Sequence, residues 1–555
     1  MKNLSVLLSS LLLLAVLTPS QALAEMPEAF QRGDASGESV ELFSTPYLTV
    51  DDQRRWFLDG PLGMPYSESG QDPNYLRALL WLAKAQGWGT FWYLSADELN
   101  SRDWDYQGLY ADLPDALPQG EKWRNFNGLR FDDNVMYMNT PLHPMAGAGY
   151  YILARSSRLG IWASILATNL TSLFWEAAVE HHEVLSINDM LFTGIGGIPL
   201  GEAYIQLGEF FRRGNRTPLN QALSWIFAAP LQLHDLLDGT GTHYRGGFDE
   251  MGWPEEIWHR FRLSTGYSFG LQEFDSDQTR HDGEIALTTE LVRLPEFQQR
   301  ARDTSFQTGP AMTNLSASLA AGPEGVANWH LAGELHFAGW YGQRAGQVGE
   351  EPSLSSYWLG TGLGLRHDQH QYGDFRDRMG IIHFPGLRTD LSYLAGPLDL
   401  RLRYGIHADF SALDSFGLPD FQAQGGSSNR TVLEDFGYYY GLGFSSLLHA
   451  EVGVGPLRAE YQHRYHFSRS INALDRFYDD EDLFGPDLDE YATFEERLHF
   501  QELSLFYKTP LNSLSIGALG QARHRSGDAT SSDALESAST RSRDLRLLGV
   551  LRLEL

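Results

Sequence analysis

The chain has 555 residues, which is enough for one large domain and a second one. It contains no cysteine, so disulfides, zinc–thiolate sites and a cysteine nucleophile are excluded. Its formal net charge of −29 argues against binding to nucleic acid or to an anionic membrane surface.

Residues 1–24 predict a signal peptide that is cleaved on export. Lys2 supplies the positive start, Val6 to Leu17 form the apolar stretch, and Ala22-Leu23-Ala24 is a small-residue cleavage site. The alternative is a membrane anchor, for which this apolar stretch is short. No later uncharged run is a convincing spanning helix, because the longest ones are diluted by polar residues.

Two regions precede the predicted strands. Residues 25–135 form an acidic, aromatic-rich N-terminal region, in which Pro73 to Gln86 predicts an amphipathic helix that Gly87-Trp88-Gly89 ends. Residues 136–240 have the pattern of a helical domain. Within it, Ser186-Ile187-Asn188-Asp189 has the spacing of a capping box and therefore predicts a helix start.

The helix after Ser186 predicts a close contact with a second helix. One of its ridges carries residues that are four apart, namely Asp189, Thr193, Gly197 and Gly201. Small residues on this ridge let another helix approach, and Gly147-Ala148-Gly149 offers a matching small surface.

Polar side chains are set into apolar surroundings across this domain. They are Asn139, His143, Arg155, Trp175, Glu176, Glu180, Ser186, Asn188, Asp189 and Glu202. Because an unpaired buried charge is costly, we expect Arg155 to pair with one of these carboxylates.

This polar set has two interpretations, and both stay open. In the first, which we favour, a polar network fixes the register of the helices. In the second, His143 beside a carboxylate is a general base and Arg155 holds an anion, with Glu176 and Asp189 completing a catalytic group. The sequence offers no nucleophile motif, so an enzyme is the less favoured class, and no metal site is predicted in this domain.

A series of short motifs occurs in order along residues 130–210. They are Asn139, His143-Pro144, Gly147, Tyr150-Tyr151, Ala154-Arg155, Trp175-Glu176, Glu180, Ser186-Ile187-Asn188-Asp189, Thr193, Gly197 and Gly201-Glu202. In this combination they resemble the bacterial domain-of-unknown-function family numbered 3943. The chain departs from that pattern at Thr171, where glycine is expected, and at Leu185, where proline is expected. The resemblance implies an envelope protein and no established activity.

From about residue 257 to the end, apolar and polar residues alternate. Between Leu398 and Phe410, one register is apolar and the other carries Asp399, Arg401 and Arg403. Because side chains of a strand alternate between faces, one face is apolar and the other charged. The pattern predicts a mainly β fold, an antiparallel transmembrane β-barrel of about 12 strands (range 10–14) at 257–555, joined to the helical domain. A soluble β-sandwich is the alternative.

The predicted strands are 258–270, 283–293, 311–320, 327–342, 355–366, 387–394, 398–410, 436–452, 457–467, 497–508, 513–523 and 545–555. Long polar links at 411–435, 468–496 and 524–543 are expected outside the cell, with short turns on the periplasmic side. The link at Gly322–Gly325 is short where this alternation requires a long one.

Two clusters in the barrel region suggest metal ligands. His367-Asp368-Gln369-His370 offers two histidines without further ligands, and we expect it to be a solvated link between strands. The acidic run from Asp479 to Glu490 is expected to be a solvated loop, with Ca²⁺ binding as the weaker alternative. No other cofactor is predicted.

These features predict a monomeric protein of a Gram-negative outer membrane. The favoured function is a channel, transport or structural barrel with the helical domain as a plug or as a periplasmic domain. The alternative is an enzyme that modifies phospholipid or lipid A through the catalytic group above. Predicted partners are outer-membrane lipid, lipopolysaccharide and the barrel-assembly machinery, and nucleic acid is not among them.

The helical domain needs a protein partner for its apolar faces. It either forms a periplasmic cap or enters the barrel, and we favour contact with the barrel. The lumen-facing residues that it would then meet are His330, Glu334, Arg458, Glu460 and Arg464.

Overall fold

Twelve long strands follow one another along the second half of the chain and close into an antiparallel barrel. They are β1 (Trp258–Phe274), β2 (Ser276–Val292), β3 (Met312–Gly322), β4 (Gly325–Ala345), β5 (Ser353–Tyr372), β6 (Phe375–Ala395), β7 (Leu398–Asp414), β8 (Tyr438–Val454), β9 (Leu457–Ser470), β10 (Ala492–Lys508), β11 (Leu514–Ser531) and β12 (Ser537–Glu554). Each strand pairs with its neighbours in sequence, and β12 pairs with β1 to close the ring. The predicted fold class is confirmed.

This computed structural model describes residues 73–96, 129–132, 134–180, 185–239, 246–274, 276–294, 297–298, 303–323, 325–345, 353–426, 437–471, 492–511, 513–531 and 536–555. All of them belong to one compact unit, Val50–Leu555. The predicted signal peptide and the acidic run from Asp479 to Glu490 lie outside the described residues, so both stay predictions.

The helices precede the barrel, apart from one in the link between β7 and β8. They are α1 (Tyr75–Ala96), α2 (His143–Ser156), α3 (Ile161–Phe174), α4 (Ile187–Leu191), α5 (Gly197–Arg213), α6 (Pro218–Asp238) and α7 (Leu418–Ala423). Single π-helical turns lie at Met138–Leu142, Trp175–Val179 and Phe192–Gly196. None of the described helices combines the length and apolar character needed to cross a membrane.

Three local expectations are wrong. The helix expected to end before Gly87 continues to Ala96, because Gly89 serves a close approach: a Cβ atom there would lie 2.7 Å from the Trp175 ring. His367-Asp368-Gln369-His370 is a buried part of β5, where Asp368 bonds His330 across the strand pair at 2.9 Å. The link expected at 524–543 shrinks to 532–536, because its polar residues extend β11 and β12.

The two faces of the barrel wall are distinguished along β7. Its charged register, which includes Arg403, faces a cavity lined by residues of all twelve strands, so that face is the lumen. The apolar register faces outward, and Leu402 there is 42% exposed. Phe410 continues the same outward register but is only 1% exposed. Something therefore covers the outer wall at Phe410.

The helices α1–α6, which we call the helical layer, cover the outer wall. The Phe192 ring packs at a tilt against Phe410 with ring centroids 5.6 Å apart, and Phe211 stacks on Phe261 of β1 at 5.6 Å. On β4, a Cβ atom added to Gly333 would lie 2.9 Å from Leu200. The expected contact with the barrel is present, but it is made on the outer face, so the expectation that the helices meet the lumen-facing residues is wrong.

The layer rests on a row of residues that are paired across neighbouring strands. The row reads Phe261, Thr289, Leu315, Gly333, Leu365, Ile382 and Phe410, from β1 to β7. Because barrel strands are tilted, a line at right angles to them climbs the wall obliquely. Glycine at the centre of the row lets α5 approach the wall there.

Candidate functional site

Two regions of the described residues are considered as candidate sites, namely the bore of the barrel and a polar cluster where the helical layer meets the outer wall. The bore contains a cavity of about 380 Å³. One polar lining residue from each strand in turn is Arg260, Glu284, Asn314, His330, Arg366, His383, Arg403, His449, Gln462, Glu502, Gln521 and Asp544. Polar groups from every side thus face one space.

Ion pairs cross the bore near its proximal end, where β1 begins and β12 ends. Arg260 of β1 binds Glu451 of β8 at 2.7 Å, and Arg401 of β7 binds Glu290 of β2 at 2.6 Å. Strands β1 and β8, like β2 and β7, are separated by several strands in either direction around the ring. These pairs therefore span the bore, and the Arg401 guanidinium also covers the ring of Trp258 at 5.1 Å.

At the distal end, where β1 ends at Phe274, an ion pair and a folded link lie across the bore. Arg523 of β11 reaches Asp377 of β6 at 2.8 Å. Beyond it, Phe416 from the β7–β8 link packs against Phe274 with ring centroids 5.0 Å apart. The link continues as α7, whose Phe421 is fully buried. We call residues 415–426 the distal plug.

The second region, the wall cluster, lies where the helical layer meets β8. Asn139, on the first π-helical turn, donates to Asp132 at 3.0 Å and to the hydroxyl of Tyr440 at 2.6 Å. Asn188 donates to the same Asp132 carboxylate at 2.6 Å. A two-residue parallel bridge between Leu129–Arg130 and Leu185–Ser186 brings these segments together. The network ties the helices to the barrel.

The helix start that the capping-box spacing predicts is formed, but the carboxylate that accepts from the cap residue is Glu176 rather than Asp189. Ser186 is the N-cap of α4 and accepts a hydrogen bond from the backbone N–H of Asp189 at 3.2 Å. The backbone N–H of Ser186 donates to Glu176 at 3.1 Å. The cap thereby brings the Glu176 side chain to the first turn of α4, which carries Asp189.

His143 faces this pair of carboxylates from the start of α2. Its Nε2 atom lies 3.4 Å from the Asp189 carboxylate, and its side chain is 19% exposed whereas Asp189 is 3% exposed. Burial lowers the pKa of His143, and the negative charge of Asp132 opposes this only in part. The ring is therefore neutral at pH 7 and can accept a proton from a water molecule.

Three carboxylates of the cluster have the spacing of a cation site. Oxygens of Glu176, Glu180 and Asp189 all lie within 4.8 Å of one another. Hard divalent cations take such oxygen ligands. Acidic groups at this spacing also occur without an ion, and the prediction that this domain holds no metal stays untested.

Arg155 lies apart from the wall cluster. It is 12 residues from His143 along α2, which is about 18 Å on a straight helix. Its guanidinium pairs with Glu202 at 2.9 Å, both side chains being fully buried, and Tyr151 donates to the same carboxylate at 2.7 Å. The expected pairing with a carboxylate is present, and the role of Arg155 as an anion holder beside His143 is not supported by this geometry.

The small-residue ridge carries the contact between α2 and α5. Added Cβ atoms would lie 2.5 Å from the Ala148 backbone at Gly197 and 2.8 Å from the Tyr151 ring at Gly201. Gly147 in turn faces the Thr193 backbone. Trp175 lies elsewhere and packs edge-on against Tyr93 of α1 at 5.9 Å.

The helices that carry most of the wall cluster lie in a segment that matches a protein family. Residues 128–230 match the family Domain of unknown function (DUF3943). The match confirms the resemblance seen in the sequence and extends it through most of α6. We refer to 128–230 as the DUF3943 segment.

Solved structures that are similar to this chain include porins and outer-membrane channels. The NanC porin is 8% identical, with 51% of this chain and 98% of that chain covered and a TM-score of 0.20. The channel DcaP of Acinetobacter baumannii is 10% identical, with 56% and 99% covered and a TM-score of 0.17. OccK2 (OpdF) of Pseudomonas aeruginosa is 7% identical, with 54% and 98% covered and a TM-score of 0.14. No curated protein matches the chain.

Sequence reasoning missed three residues of the wall cluster. Asp132 precedes the helical pattern, and Tyr438 and Tyr440 belong to the barrel. The one signal in the sequence was the run Tyr438-Tyr439-Tyr440 at a strand start, where two hydroxyls fall on the face expected to be apolar.

Proposed function

We propose that this protein is a gated channel of the outer membrane that is closed at rest by its own side chains and admits a small polar solute. The outward belt of Leu, Tyr and Phe suits a lipid surface, as in outer-membrane barrels. The observation that carries the proposal is the polar cavity held between the proximal ion pairs and the distal plug.

A cavity between two closures supports gating rather than a permanently open pore. Buried ion pairs are poor sources of net stability, and they are best attested where they select between alternative states. A barrel that only supported the helices would gain more from filling its bore with apolar side chains. The plug in this proposal is the β7–β8 link, whereas the DUF3943 segment lies on the outer wall.

Conductance in planar bilayers tests the proposal. Wild type should conduct weakly, and replacing Leu418–Ala423 by a Gly/Ser segment of equal length should raise the frequency of discrete openings. The double change Arg260→Gln and Glu451→Gln removes a crossing pair without leaving one charge alone. It should raise conductance further.

Controls separate gating from misfolding. Each variant must keep the heat-dependent gel mobility of a folded barrel, and Leu505→Ala on the outer face is the matched change that should leave conductance unchanged. Folded variants that conduct no more than wild type, singly or combined, would overturn the channel proposal. So would a wild type that is already fully open.

A lipid-modifying enzyme is the second candidate, and the distance between His143 and Asp189 favours it. A neutral histidine next to a buried carboxylate is a suitable general base, and the cluster lies at the outer wall, where lipid is at hand. Arg155 has no part in this version. Asp132 and Glu176 would instead hold the base and the cap in place.

Lipid turnover tests this candidate. Purified protein in vesicles of labelled phospholipid or lipid A is compared with His143→Ala and Asp189→Asn, with Gly149→Ala on the same helix as the control. Turnover that both substitutions abolish by more than 100-fold, about 2.7 kcal/mol, would support the enzyme. If wild type turns over neither lipid, the enzyme candidate is excluded.

A further inference from the structure

We propose that the helical layer lies in the same bilayer as the barrel, with its outer side against lipid acyl chains. This inference rests on the proposal that the barrel spans a membrane. It assigns lipid as the partner of a surface formed by the outward sides of α1, α3 and α6.

The first observation is a set of apolar stripes that nothing in the chain covers among the described residues. On α3, Trp162, Leu166 and Leu170 follow one another at spacings of four, and each is more than half exposed. On the other two helices the side chains that are more than half exposed include Leu76, Leu79, Trp88, Phe91, Trp92, Leu219, Ile226, Leu236 and Leu237. So many large apolar side chains exposed together are unusual on a protein surface that faces water.

The second observation is that the charges of the layer point inward. Arg155 and Glu202 are fully buried together, and Arg212 is held between Glu209 and Asp235. Lys84 is the one exposed charged residue on the described stretches of α1–α6. A layer with paired charges inside and apolar residues outside matches the rule for protein in a bilayer. A long lysine side chain can extend to the interface.

The third observation is continuity with the barrel wall. The row that seats the layer ends at Phe410, and its next paired residue, Leu442 of β8, is exposed. Ile406 on the same outward register is also exposed. The layer and the bare wall therefore present one continuous apolar surface, and the lipid that contacts the wall also contacts the helices.

Site-directed spin labelling tests this inference in the full chain, which has no native cysteine to remove. Leu166→Cys and Ile226→Cys place labels on α3 and α6, Leu505→Cys on the bare barrel wall, and Gln424→Cys on the exposed end of the distal plug. The labelled proteins are placed in vesicles of phosphatidylethanolamine and phosphatidylglycerol. Collision with oxygen, which concentrates in lipid, is compared with collision with a water-soluble nickel chelate.

The ratio of oxygen to chelate collision at 166 and 226 should equal that at 505 and exceed that at 424 several-fold. Ratios at both helix positions equal to that at 424, with 505 still in lipid, would overturn this inference alone. A water-like ratio at 505 would instead overturn the proposed membrane location. Two helices are probed, so that failure of one variant to fold leaves the other to decide.

Discussion

Gly147 and Gly149 lie two positions apart on α2 and have opposite surroundings. A Cβ atom at Gly147 would lie 1.8 Å from the Thr193 carbonyl oxygen, whereas one at Gly149 would meet nothing within 4 Å. A carbonyl in a helical turn cannot move aside as a flexible side chain can. The absence of a side chain at 147 is therefore a condition of the contact between α2 and the π-helical turn that leads into α5.

Gly147→Ala should destabilise the helical layer by about 1–3 kcal/mol through overpacking. Gly149→Ala should instead stabilise it by about 0.5–1 kcal/mol, because alanine restricts the unfolded chain and favours the helix. Thermal loss of helical circular dichroism measures both, with gel mobility as the check on the barrel. Equal midpoints for the two variants would contradict the tight contact seen at Gly147.

At the scale of elements, the number and order of the strands could be predicted from the sequence, but their ends could not. The belt marks each strand by outward apolar residues at every second position, so Leu398–Phe410 was found within β7. Beyond this belt both faces of the strands are polar, so the alternation of apolar and polar residues is lost. The hydrogen-bonded pairing of β11 with β12 nevertheless continues through Arg525 and Asp544. Because the alternation is lost there too, the sequence did not show that Asp368 lies in a strand.

The helical elements show the same division between local and distant information. The cap at Ser186 and the glycine ridge are set by residues a few positions apart, and both form as their spacing predicts. The side of the barrel that receives the helices depends on Phe410 and Tyr440, which are remote in sequence and follow the same alternation as any lipid-facing residue. Neither periodicity nor composition distinguishes a wall covered by helices from one covered by lipid.

At the scale of the whole molecule, the barrel and the layer are held by different means. Ion pairs within the barrel, such as Arg260 with Glu451, join strands to strands and involve no helix. The layer is attached by apolar contacts with the row of outward residues from Phe261 to Phe410. It is also attached by hydrogen bonds that Asn139 donates to the tyrosines of β8. The two parts should therefore respond separately to conditions that act on buried groups of the layer.

Acid should loosen the packing of the helical layer. Burial lowers the pKa of His143, and it also lowers the pKa of His234, whose ring lies 2.7 Å from the Ser156 carbonyl oxygen between α6 and α2. A detached layer would bind protons at the ordinary histidine pKa of about 6.5, whereas the packed layer resists them. Its stability should thus be greatest above pH 6.5 or so and fall as the pH drops below that value.

Thermal melts of helical circular dichroism measure this effect between about pH 7.5 and about pH 5.5, the window around the ordinary histidine pKa. Arg77 lowers the pKa of Asp238 below its usual range, so that ion pair between α1 and α6 keeps its charge throughout the window. The double change His143→Gln and His234→Gln should remove most of the pH dependence, because glutamine stays neutral in both states. If wild type melts at the same temperature at both pH values, the two buried rings do not set the acid stability of the layer.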